Sequence, residues 1–292
     1  MNLNQLKYIV TVADEMNISR AAKKLFVSQP SLSQSIKNIE EELGTKIFER
    51  SPFKVTYAGE VYVSWARDIL SSSLQIKQKI ADISEQKNIK FVIGISPHRS
   101  TYILPPVIKK FKLLYPKSEI FVEEYPTSIL QRMMDRGKLD LLIDVTNPDT
   151  ISFESIPLFD ENILLDIPLS WNITSKEVDI AILKDKPFIM LSEKQSIGKL
   201  GRELCLKSGF SPEIFLECHN IETAHALVRQ NLGATFVPEM FTKFDKENSN
   251  YCLIKDFKSD RKICAIYNKK KYLPVALRDF IKVLKIVINE EF

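Results

Sequence analysis

The feature that most constrains this chain is a pair of helical patterns joined by a very short connection, in residues 19–43. Ser19 is a suitable N-cap for the first helix, because its hydroxyl can accept a hydrogen bond from a first-turn N–H. Ala21 and Ala22 remove side-chain bulk where a second helix must cross closely. Phe26 and the leucine before it are expected to close this helix into the core. Two short helices connected in this way are typical of a helix-turn-helix that reads DNA.

The second helical pattern begins at Ser28, its predicted N-cap. Pro30 lies in the first turn, where a missing N–H costs nothing. Apolar residues then recur at helical spacing, at Leu32, Ile36, Ile39 and Leu43. Gly44 is placed to end the helix. The apolar stripe is expected to face the core, which leaves the opposite face polar.

The polar face of the second helix carries side chains that can read base pairs. The residues on it or beside it are Gln29, Pro30, Ser33, Gln34 and Lys37. Gln pairs with adenine through two hydrogen bonds, Ser pairs with several bases, and Lys pairs with guanine or phosphate. An ordinary solvated polar face is the alternative. Phosphate would repel the glutamates at 40–42, so only the N-terminal part of the helix is expected to touch DNA.

The overall charge is only weakly basic, with a formal net charge of +4 at pH 7. Bulk charge of this size attracts DNA weakly, so a local patch must do so. The basic residues available for it are Lys23, Lys24, Lys37, Arg50 and Lys54. A dimer would double this patch.

A heptad pattern follows, starting from a predicted helix cap at Thr56. Its seam positions are spaced alternately by four and three residues, at Tyr62, Ala66, Ile69, Ser73, Ile76, Ile80 and Ile83. This spacing predicts a long helix that pairs with a second copy. An amphipathic helix packed on its own domain is the alternative, since about three heptads is the lower limit for a coiled coil.

These motifs resemble the N-terminal domain of LysR-type transcriptional regulators. The matching positions are Leu6, Ser19-x-Ala21-Ala22, Leu25, Ser28-Gln29-Pro30-Ser31-x-Ser33, Ile36, Ile39-Glu40, Leu43-Gly44, Phe48-x-Arg50 and Thr56-x-x-Gly59. The resemblance implies a mainly α, winged helix-turn-helix over residues 1–58 and a long linker (dimerisation) helix with a hinge over 59–87. It implies DNA contacts at Ser28, Gln29, Pro30, Ser31, Ser33, Gln34 and Lys37, and phosphate contacts in the wing at Arg50 and Lys54. The wing departs from the family pattern at Pro52-Phe53.

The same resemblance implies how the protein assembles on DNA. In the family, linker helices pair antiparallel and hold two recognition helices apart. Two-fold symmetry then predicts a pseudo-palindromic site on double-stranded promoter DNA, read by a dimer or by a tetramer formed as a dimer of dimers. RNA polymerase is an expected partner at such a promoter.

From residue 88 onward, short apolar runs alternate with helical patterns, and we place the boundary around residues 85–88. The predicted strands are 91–95, 120–123, 139–145, 163–167, 187–191, 215–218 and 234–237, and the predicted helices are 104–114, 129–136, 198–208 and 221–230. This alternation indicates an α/β sheet with parallel neighbours. The residues alone leave open one large domain or two small lobes.

The resemblance to LysR-type regulators favours two lobes. It implies an α/β, periplasmic-binding-protein-like effector domain over residues 88–292, with lobe one at 91–159 and 265–292 and lobe two at 160–264. The matching features are Leu104-Pro105, Phe111, Tyr115-Pro116, Gly137-x-Leu139-Asp140, Gly233-Ala234 and Val237-Pro238. A small-molecule effector is expected in the cleft between the lobes.

Polar residues at the turns between strands and helices are the predicted effector-binding residues. They are Ser96, His98, Ser100, Thr101, Thr127, Ser128, Ser192, Gln195 and Asn220. Backbone N–H groups and helix dipoles at such turns favour anions, so a polar or anionic metabolite is expected. Helix capping is the alternative role for each residue. Arg99 is a candidate bidentate clamp, whereas Glu193 would oppose a purely anionic ligand.

The four cysteines all lie in the predicted second lobe, without C-x-x-C spacing, at Cys205, Cys218, Cys252 and Cys264. No metal or cofactor is therefore expected. Redox sensing by Cys205 and Cys218, or DNA binding without an effector, is the alternative to an effector-gated regulator. Buried apolar thiols are the simpler interpretation of the cysteines. An enzyme is not expected, because the sequence has three histidines and lacks phosphate-loop and H-E-x-x-H motifs.

Nothing in the sequence predicts export or membrane insertion. Residues 1–20 contain no apolar signal core, and no run approaches the ~18 apolar residues of a membrane span. A secreted binding protein would share the second fold but would need such a signal segment. A cytoplasmic location, where thiols stay reduced, is expected.

Overall fold

The protein is described here by a computed structural model, which covers residues 2–83, 89–145, 149–244 and 250–291. The chain divides into two compact units. The first comprises residues 1–86 and 271–274, and the second comprises residues 87–270 and 275–292. The boundary expected around residues 85–88 falls outside the described residues.

The first unit is mainly α and carries a two-stranded wing. Its elements are α1 (Leu3–Glu15), α2 (Ile18–Leu25), α3 (Gln29–Leu43), β1 (Phe48–Arg50), β2 (Phe53–Val55) and α4 (Tyr57–Ile83). Strands β1 and β2 pair antiparallel, with Phe48 opposite Val55. The buried core residues are Ile9, Val12, Ala21, Ala22, Leu32, Ile36, Ile39, Ile47, Phe48 and Val63. This unit is the winged helix-turn-helix that the sequence predicts.

Both ends of α2 differ from the prediction. Its N-cap is Asn17, whose Oδ1 accepts a hydrogen bond from the N–H of Arg20 at 2.9 Å. Ser19, the expected cap, instead lies inside the first turn. Phe26, expected in the core, takes a left-handed conformation with φ of 56° and is 96% exposed. This residue reverses the chain at the end of α2, and Val27 packs against the core in its place.

Helix α3 begins and ends where the sequence predicts. Ser28 is its N-cap, with Oγ accepting a hydrogen bond from the N–H of Ser31 at 3.3 Å. Gly44 is the C-cap and has a φ of 67°, a left-handed conformation that suits glycine. The predicted stripe is buried except for its last member, Leu43, which is 45% exposed. The core therefore ends one turn before the helix does.

Helix α4 starts at its predicted cap, because Oγ1 of Thr56 accepts a hydrogen bond from the N–H of Gly59 at 2.9 Å. A Cβ at Gly59 would lie 2.2 Å from the carbonyl oxygen of Ile47, so the close approach requires glycine. The predicted heptad seam divides into two parts. Tyr62 packs partly against the unit's own core, and Ala66 is buried. The later positions Ile69, Ile76 and Ile80 are exposed, and the side chain of Ile83 lies outside the described residues.

The second unit is α/β. Its strands are β3 (Lys90–Ile95), β4 (Glu119–Glu124), β5 (Leu141–Val145), β6 (Phe153–Asp160), β7 (Ile163–Ile167), β8 (Glu177–Val178), β9 (Pro187–Leu191), β10 (Glu213–Cys218), β11 (Thr235–Pro238), β12 (Asn250–Ile254) and β13 (Lys262–Asn268). Its α-helices are α5 (Pro97–Leu114), α6 (Thr127–Asp135), α7 (Ser196–Lys207), α8 (Ile221–Arg229), α9 (Phe241–Phe244) and α10 (Val275–Glu291).

The strands of this unit form two separate layers. The first is a five-stranded sheet in the order β4-β3-β5-β13-β6, in which β3 is parallel to β4 and β5 and β13 is antiparallel to β5 and β6. The second contains the sheet β11-β7-β12-β8 and the parallel pair β9-β10, linked by a bridge between Phe188 and Ala234. The chain passes between the layers after β6 and again before β13. The result is the two-lobed α/β fold implied by the resemblance.

The helices and strands of the second unit extend beyond the patterns that predict them. Helix α5 begins at Pro97, not at residue 104, because the interior prolines Pro105 and Pro106 hide its continuity in the sequence. Strands β6, β8, β12 and β13 and helices α9 and α10 are absent from the sequence-based assignment. Along the described ranges, none of the helices has both the length and the apolar character of a membrane span.

Candidate functional site

The polar face of α3 lies on the surface of the first unit. Its exposed residues are Ser28, Gln29, Pro30, Ser31, Gln34 and Lys37, and Ser33 is half-buried. The Nε2 of Gln29 donates to Oγ of Ser33 at 2.8 Å. The Nε2 of Gln34 donates to Oδ1 of Asn38 at 2.7 Å. The face therefore presents ordered amide and hydroxyl groups of the kind that pair with base edges.

The wing places two exposed cations beside this helix. Arg50 ends β1 and has no ion-pair partner within the described part of the chain. Lys54 lies in β2 opposite Glu49, and its Nζ is 3.0 Å from that carboxylate. Glu40 of α3 accepts hydrogen bonds from the first two N–H groups of the wing, at residues 47 and 48, at 2.8 and 3.0 Å. Glu40 therefore holds the wing against α3.

The second unit contains a cavity of about 260 Å³, whose wall is built from turns that follow four strands. The lining residues are 96–99 after β3, 126–127 after β4, Leu191 with 194–197 after β9, 219–221 after β10, and Arg261 just before β13. The cavity therefore combines parts of both layers of the unit.

Each of the four turns leads into the start of a helix. At the first turns of α5, α6 and α7, no side chain caps the helix. At α8, Oδ1 of Asn220 accepts a hydrogen bond from the N–H of Glu222 at 2.8 Å. Uncapped helix N-termini present backbone N–H groups and the positive end of the helix dipole, and both favour an anion.

A buried ion cluster forms part of the wall. Arg99 is 1% exposed and donates from Nε and Nη2 to the two carboxylate oxygens of Glu161, at 3.1 and 2.8 Å. Its Nη1 donates to Asp144 at 3.1 Å, and Nε of Arg261 donates to Glu161 at 3.0 Å. The interpretation of Arg99 as a ligand clamp is therefore wrong, because its guanidinium already binds two carboxylates of its own chain.

The cluster shifts the pKa of two of its neighbours. Burial acts to raise the pKa of Glu161, but Arg99 and Arg261 outweigh it and lower that pKa to about 2. Burial, and after it the charge of Arg99, lowers the pKa of His98 to about 3, so this imidazole is neutral at physiological pH. The Nε2 of His98 and the Oε1 of Gln195 are buried and make no hydrogen bond to any described residue. Two lining residues thus carry a polar atom that a ligand can satisfy.

The cavity brings together Ser96, His98, Thr127, Gln195 and Asn220 from the predicted effector-binding set. The remaining four predicted residues lie outside its lining: Ser100, Thr101, Ser128 and Ser192. Thr101 donates from Oγ1 to the carbonyl of Pro97 at 3.1 Å, Ser128 is exposed, and Ser192 is buried. Ser100 lies four residues after the N-cap position of α5 and therefore points from its second turn.

Two charged lining residues were missed by the sequence analysis, Lys194 and Arg261. Lys194 lies between two residues that the turn pattern does single out. Arg261 carries no local signal, because it precedes a strand that the pattern does not reveal. Glu193 is exposed and outside the lining, so its expected opposition to an anionic ligand does not arise.

The four cysteines are free thiols that lie outside the cavity lining. Cys205 is fully buried, and burial raises its pKa to about 12. Burial also raises the pKa of the half-buried Cys218. The thiolate is the reactive form of cysteine, so these surroundings disfavour reaction with an oxidant.

A winged helix-turn-helix joined to an α/β unit with a cation-lined cavity defines a class, the DNA-binding transcriptional regulators. Residues 3–60 match the family model for the "Bacterial regulatory helix-turn-helix protein, lysR family". Residues 84–287 match the model for the "LysR substrate binding domain". The chain belongs to the LysR family of bacterial transcriptional regulators, whose members are regulators and not enzymes.

Individual relatives cover both units. The HTH-type transcriptional regulator YcgK of Bacillus subtilis is 28% identical over 314 residues, which cover 100% of this chain and 96% of that protein. The hydrogen peroxide-inducible genes activator of Haemophilus influenzae is 30% identical over 244 residues, which cover 82% of this chain and 81% of that protein. A solved full-length OxyR variant from Pseudomonas aeruginosa matches with a TM-score of 0.70 and 26% identity, covering 99% of this chain and 95% of that one.

Proposed function

We propose that this protein is a LysR-type regulator whose promoter contacts change when a small polar or anionic molecule binds the cavity of the second unit. The observation that carries the proposal is a cavity lined by uncapped helix N-termini and by Arg99, Lys194 and Arg261. Within the described residues no carboxylate lines it, and the carboxylates of Asp144 and Glu161 pair with the two arginines, which leaves Lys194 as the uncompensated cation. A ligand that favours one arrangement of the two layers would shift an equilibrium that already exists.

For DNA, we infer that α3 enters the major groove and that the wing contacts phosphate. The inferred contact residues are Ser28, Gln29, Pro30, Ser31, Ser33, Gln34, Lys37, Arg50 and Lys54. The exposure of the α3 face and the ordering of its two glutamine amides support this inference. A pseudo-palindromic promoter site is the expected target of a symmetric pair of such helices.

Assembly as a dimer of dimers is part of the proposal. Exposed isoleucines along α4 support pairing of the linker helices. In the second unit, exposed apolar residues end α5, at Leu113 and Leu114, and lie on the edge strands β4 and β10, at Phe121, Ile214 and Phe215. Apolar patches at sheet edges are typical of surfaces that another subunit covers. RNA polymerase is the expected further partner at the promoter.

Redox sensing is the second candidate, because one relative is named a hydrogen peroxide-inducible genes activator. The raised pKa values of Cys205 and Cys218 weigh against it, since a peroxide-reactive cysteine needs accessible thiolate. Effector binding is therefore the better-supported mode of regulation.

A thermal-shift screen of the full chain tests the effector proposal. The panel contains amino acids, organic acids, sugars and nucleosides. A ligand at about 100 times its Kd stabilises the folded state by about 2.7 kcal/mol, so a hit raises the melting temperature by several degrees. Thr127→Ala, at the cavity, is expected to reduce the shift, and Ser128→Ala, its exposed neighbour outside the lining, is the matched control.

A different set of results would contradict effector binding. If no class of molecule shifts the melting temperature, while hydrogen peroxide changes DNA binding and Cys205→Ser abolishes that change, regulation is by redox chemistry.

A further inference from the structure

The two arginines at the cavity differ in how much of their hydrogen-bonding capacity is already used. The guanidinium of Arg99 donates from all three nitrogens, to Glu161, to Asp144 and, from Nη1 at 3.2 Å, to Oγ of Ser96. With 1% of its surface exposed, Arg99 has little left to offer a ligand. Its role is to hold the wall together.

Arg261 is arranged differently. Its Nε donates to Glu161 at 3.0 Å, and 12% of its side chain is exposed. No described residue accepts a hydrogen bond from its terminal nitrogens, Nη1 and Nη2, although Arg261 lines the cavity. This guanidinium is held through Nε, and its Nη1 and Nη2 donate to no described residue. The two terminal nitrogens form a planar fork that matches the two oxygens of a carboxylate.

The surroundings of Arg261 suit an anion of low charge. The positive charges of Arg99 and Arg261 are balanced by the buried carboxylates of Glu161 and Asp144, which leaves Lys194 as the uncompensated cation of the lining. The neutral His98 adds a polar atom without adding charge. A singly charged carboxylate therefore fits this balance better than a doubly charged phosphate group.

Arg261 also lies where the chain crosses between the two layers of the second unit. It immediately precedes β13, where the chain passes from one layer of the unit to the other, and Glu161 lies at the other crossing, between β6 and β7. The N–H of Glu161 donates to the carbonyl oxygen of Arg261 at 2.8 Å, so the two crossings are held together. A ligand bound to Arg261 therefore acts directly on the connection between the two layers.

We propose that Arg261 is the residue by which the cavity recognises its effector, and that the effector is a compact organic acid whose carboxylate binds Nη1 and Nη2 of Arg261. This inference rests on the proposed effector function and names the ligand class of the same site. His98, Gln195 and the uncapped first turns of α5, α6 and α7 bind the remainder of the molecule.

Calorimetric and thermal-shift titrations of the full chain test the inference. The probes are sodium salts of two- to seven-carbon carboxylic, hydroxy and amino acids, their neutral methyl esters, and inorganic phosphate, all at constant ionic strength. We expect at least one acid to bind, and its methyl ester and phosphate to bind more weakly. The Arg261→Gln substitution is expected to lower the affinity for that acid by about tenfold to a hundredfold.

Lys262→Gln is the matched control, because Lys262 is the next residue, is half-exposed and lies outside the cavity lining. It is expected to bind the acid as the wild type does. Arg261→Lys keeps the charge but not the fork and is expected to show an intermediate loss, which provides a test if Arg261→Gln does not fold.

The titrations distinguish a failure of the proposed role of Arg261 from a failure of the proposed effector regulation. Undiminished binding of the acid by Arg261→Gln and Arg261→Lys, or tighter binding of phosphate or of the esters than of any acid, overturns the role of Arg261 and leaves effector regulation intact. Absence of binding by every class of molecule in the wider screen overturns both.

Discussion

At the scale of single residues, the pKa of His98 makes the stability of the second unit depend on pH. Burial, and after it the charge of Arg99, lowers this pKa. His98 titrates near 6.5 in an unfolded chain and near 3 in the folded protein. Between these values the unfolded state binds a proton that the folded state does not, so stability falls as the pH falls through this window. Glu161, with a pKa of about 2 against an ordinary 4.5, adds a loss of the same sign only below about pH 4.5. Burial raises the pKa of Glu222 from 4.5, so this group can also titrate between pH 6.5 and 4.5. The contribution of His98 is therefore measured as the difference between the wild type and a His98 variant.

The variant His98→Gln is expected to lose less stability than the wild type between pH 6.5 and 4.5. The slopes differ by at most about 1.4 kcal/mol per pH unit, the value for one proton. Urea unfolding followed by the fluorescence of Trp171, in a Trp65→Phe background, measures the second unit. His219→Gln, at an exposed histidine of the same cavity, is the matched control. Equal slopes for His98→Gln and the wild type would contradict the lowered pKa of His98.

Single substitutions on the first unit distinguish a residue proposed to read bases from residues proposed to contact phosphate. Gln34→Ala is expected to weaken binding to a selected DNA site by about 1–3 kcal/mol and to leave binding to random DNA nearly unchanged. Arg50→Ala is expected to weaken binding to both and to lower the salt slope by about 1. Lys54→Ala should act in the same direction but less strongly, because Glu49 already neutralises part of its charge.

Selection from a randomised duplex library, followed by fluorescence anisotropy at several salt concentrations, measures both effects. Lys7→Ala, an exposed lysine on α1, is the control for a general loss of charge. If Gln34→Ala and Arg50→Ala change the binding of selected and random DNA equally, the assignment of their roles is wrong.

At the scale of elements, caps and apolar periodicity predicted many of the helices and strands. The strands that were not predicted are defined by pairing with strands distant in the sequence. The caps of α3 and the start of α4 follow from residues a few positions apart. The parallel neighbours of β3 follow from the alternation of strand and helix patterns along the chain. Strands β6 and β13 escaped prediction because each is recognised by its distant partner, for example Ile156 opposite Ala265. Ser19 was predicted as the cap of α2, whereas the structure places the cap two residues earlier, at Asn17.

The start of α2 gives a direct test of that correction. Asn17→Ala is expected to destabilise α2 by about 0.5–2 kcal/mol, because the first turn loses its side-chain acceptor. Ser19→Ala is expected to leave it nearly unchanged, since alanine is favourable inside a helix. Hydrogen–deuterium exchange of the α2 amides measures the effect. A larger loss of protection in Ser19→Ala than in Asn17→Ala would restore Ser19 as the cap.

At the scale of the whole molecule, the exposed apolar residues along α4 call for a partner. Replacing Ile76 and Ile80 by lysine is expected to prevent pairing of the linker helices, because each substitution places a charge in the interface. Light scattering at micromolar concentration measures the assembly state. Lys77→Ala, an exposed position between them, is the matched control. A wild-type protein that is strictly monomeric at these concentrations would contradict the proposed assembly.

The sequence by itself determined the helix-turn-helix and the α/β character of the second unit, and its resemblance to the family added the wing. The helix-turn-helix depends on hydrogen bonds and apolar contacts between residues close in the chain, and the α/β character depends on the alternation of strand and helix patterns, both of which spacing records. Only the tertiary structure decided what the charged residues do. Arg99 lies 62 positions from Glu161, and Glu161 lies 100 positions from Arg261, so no local pattern joins them. Long-range packing occupied one arginine, left the other open at the cavity, and thereby decided which residue can recognise a ligand.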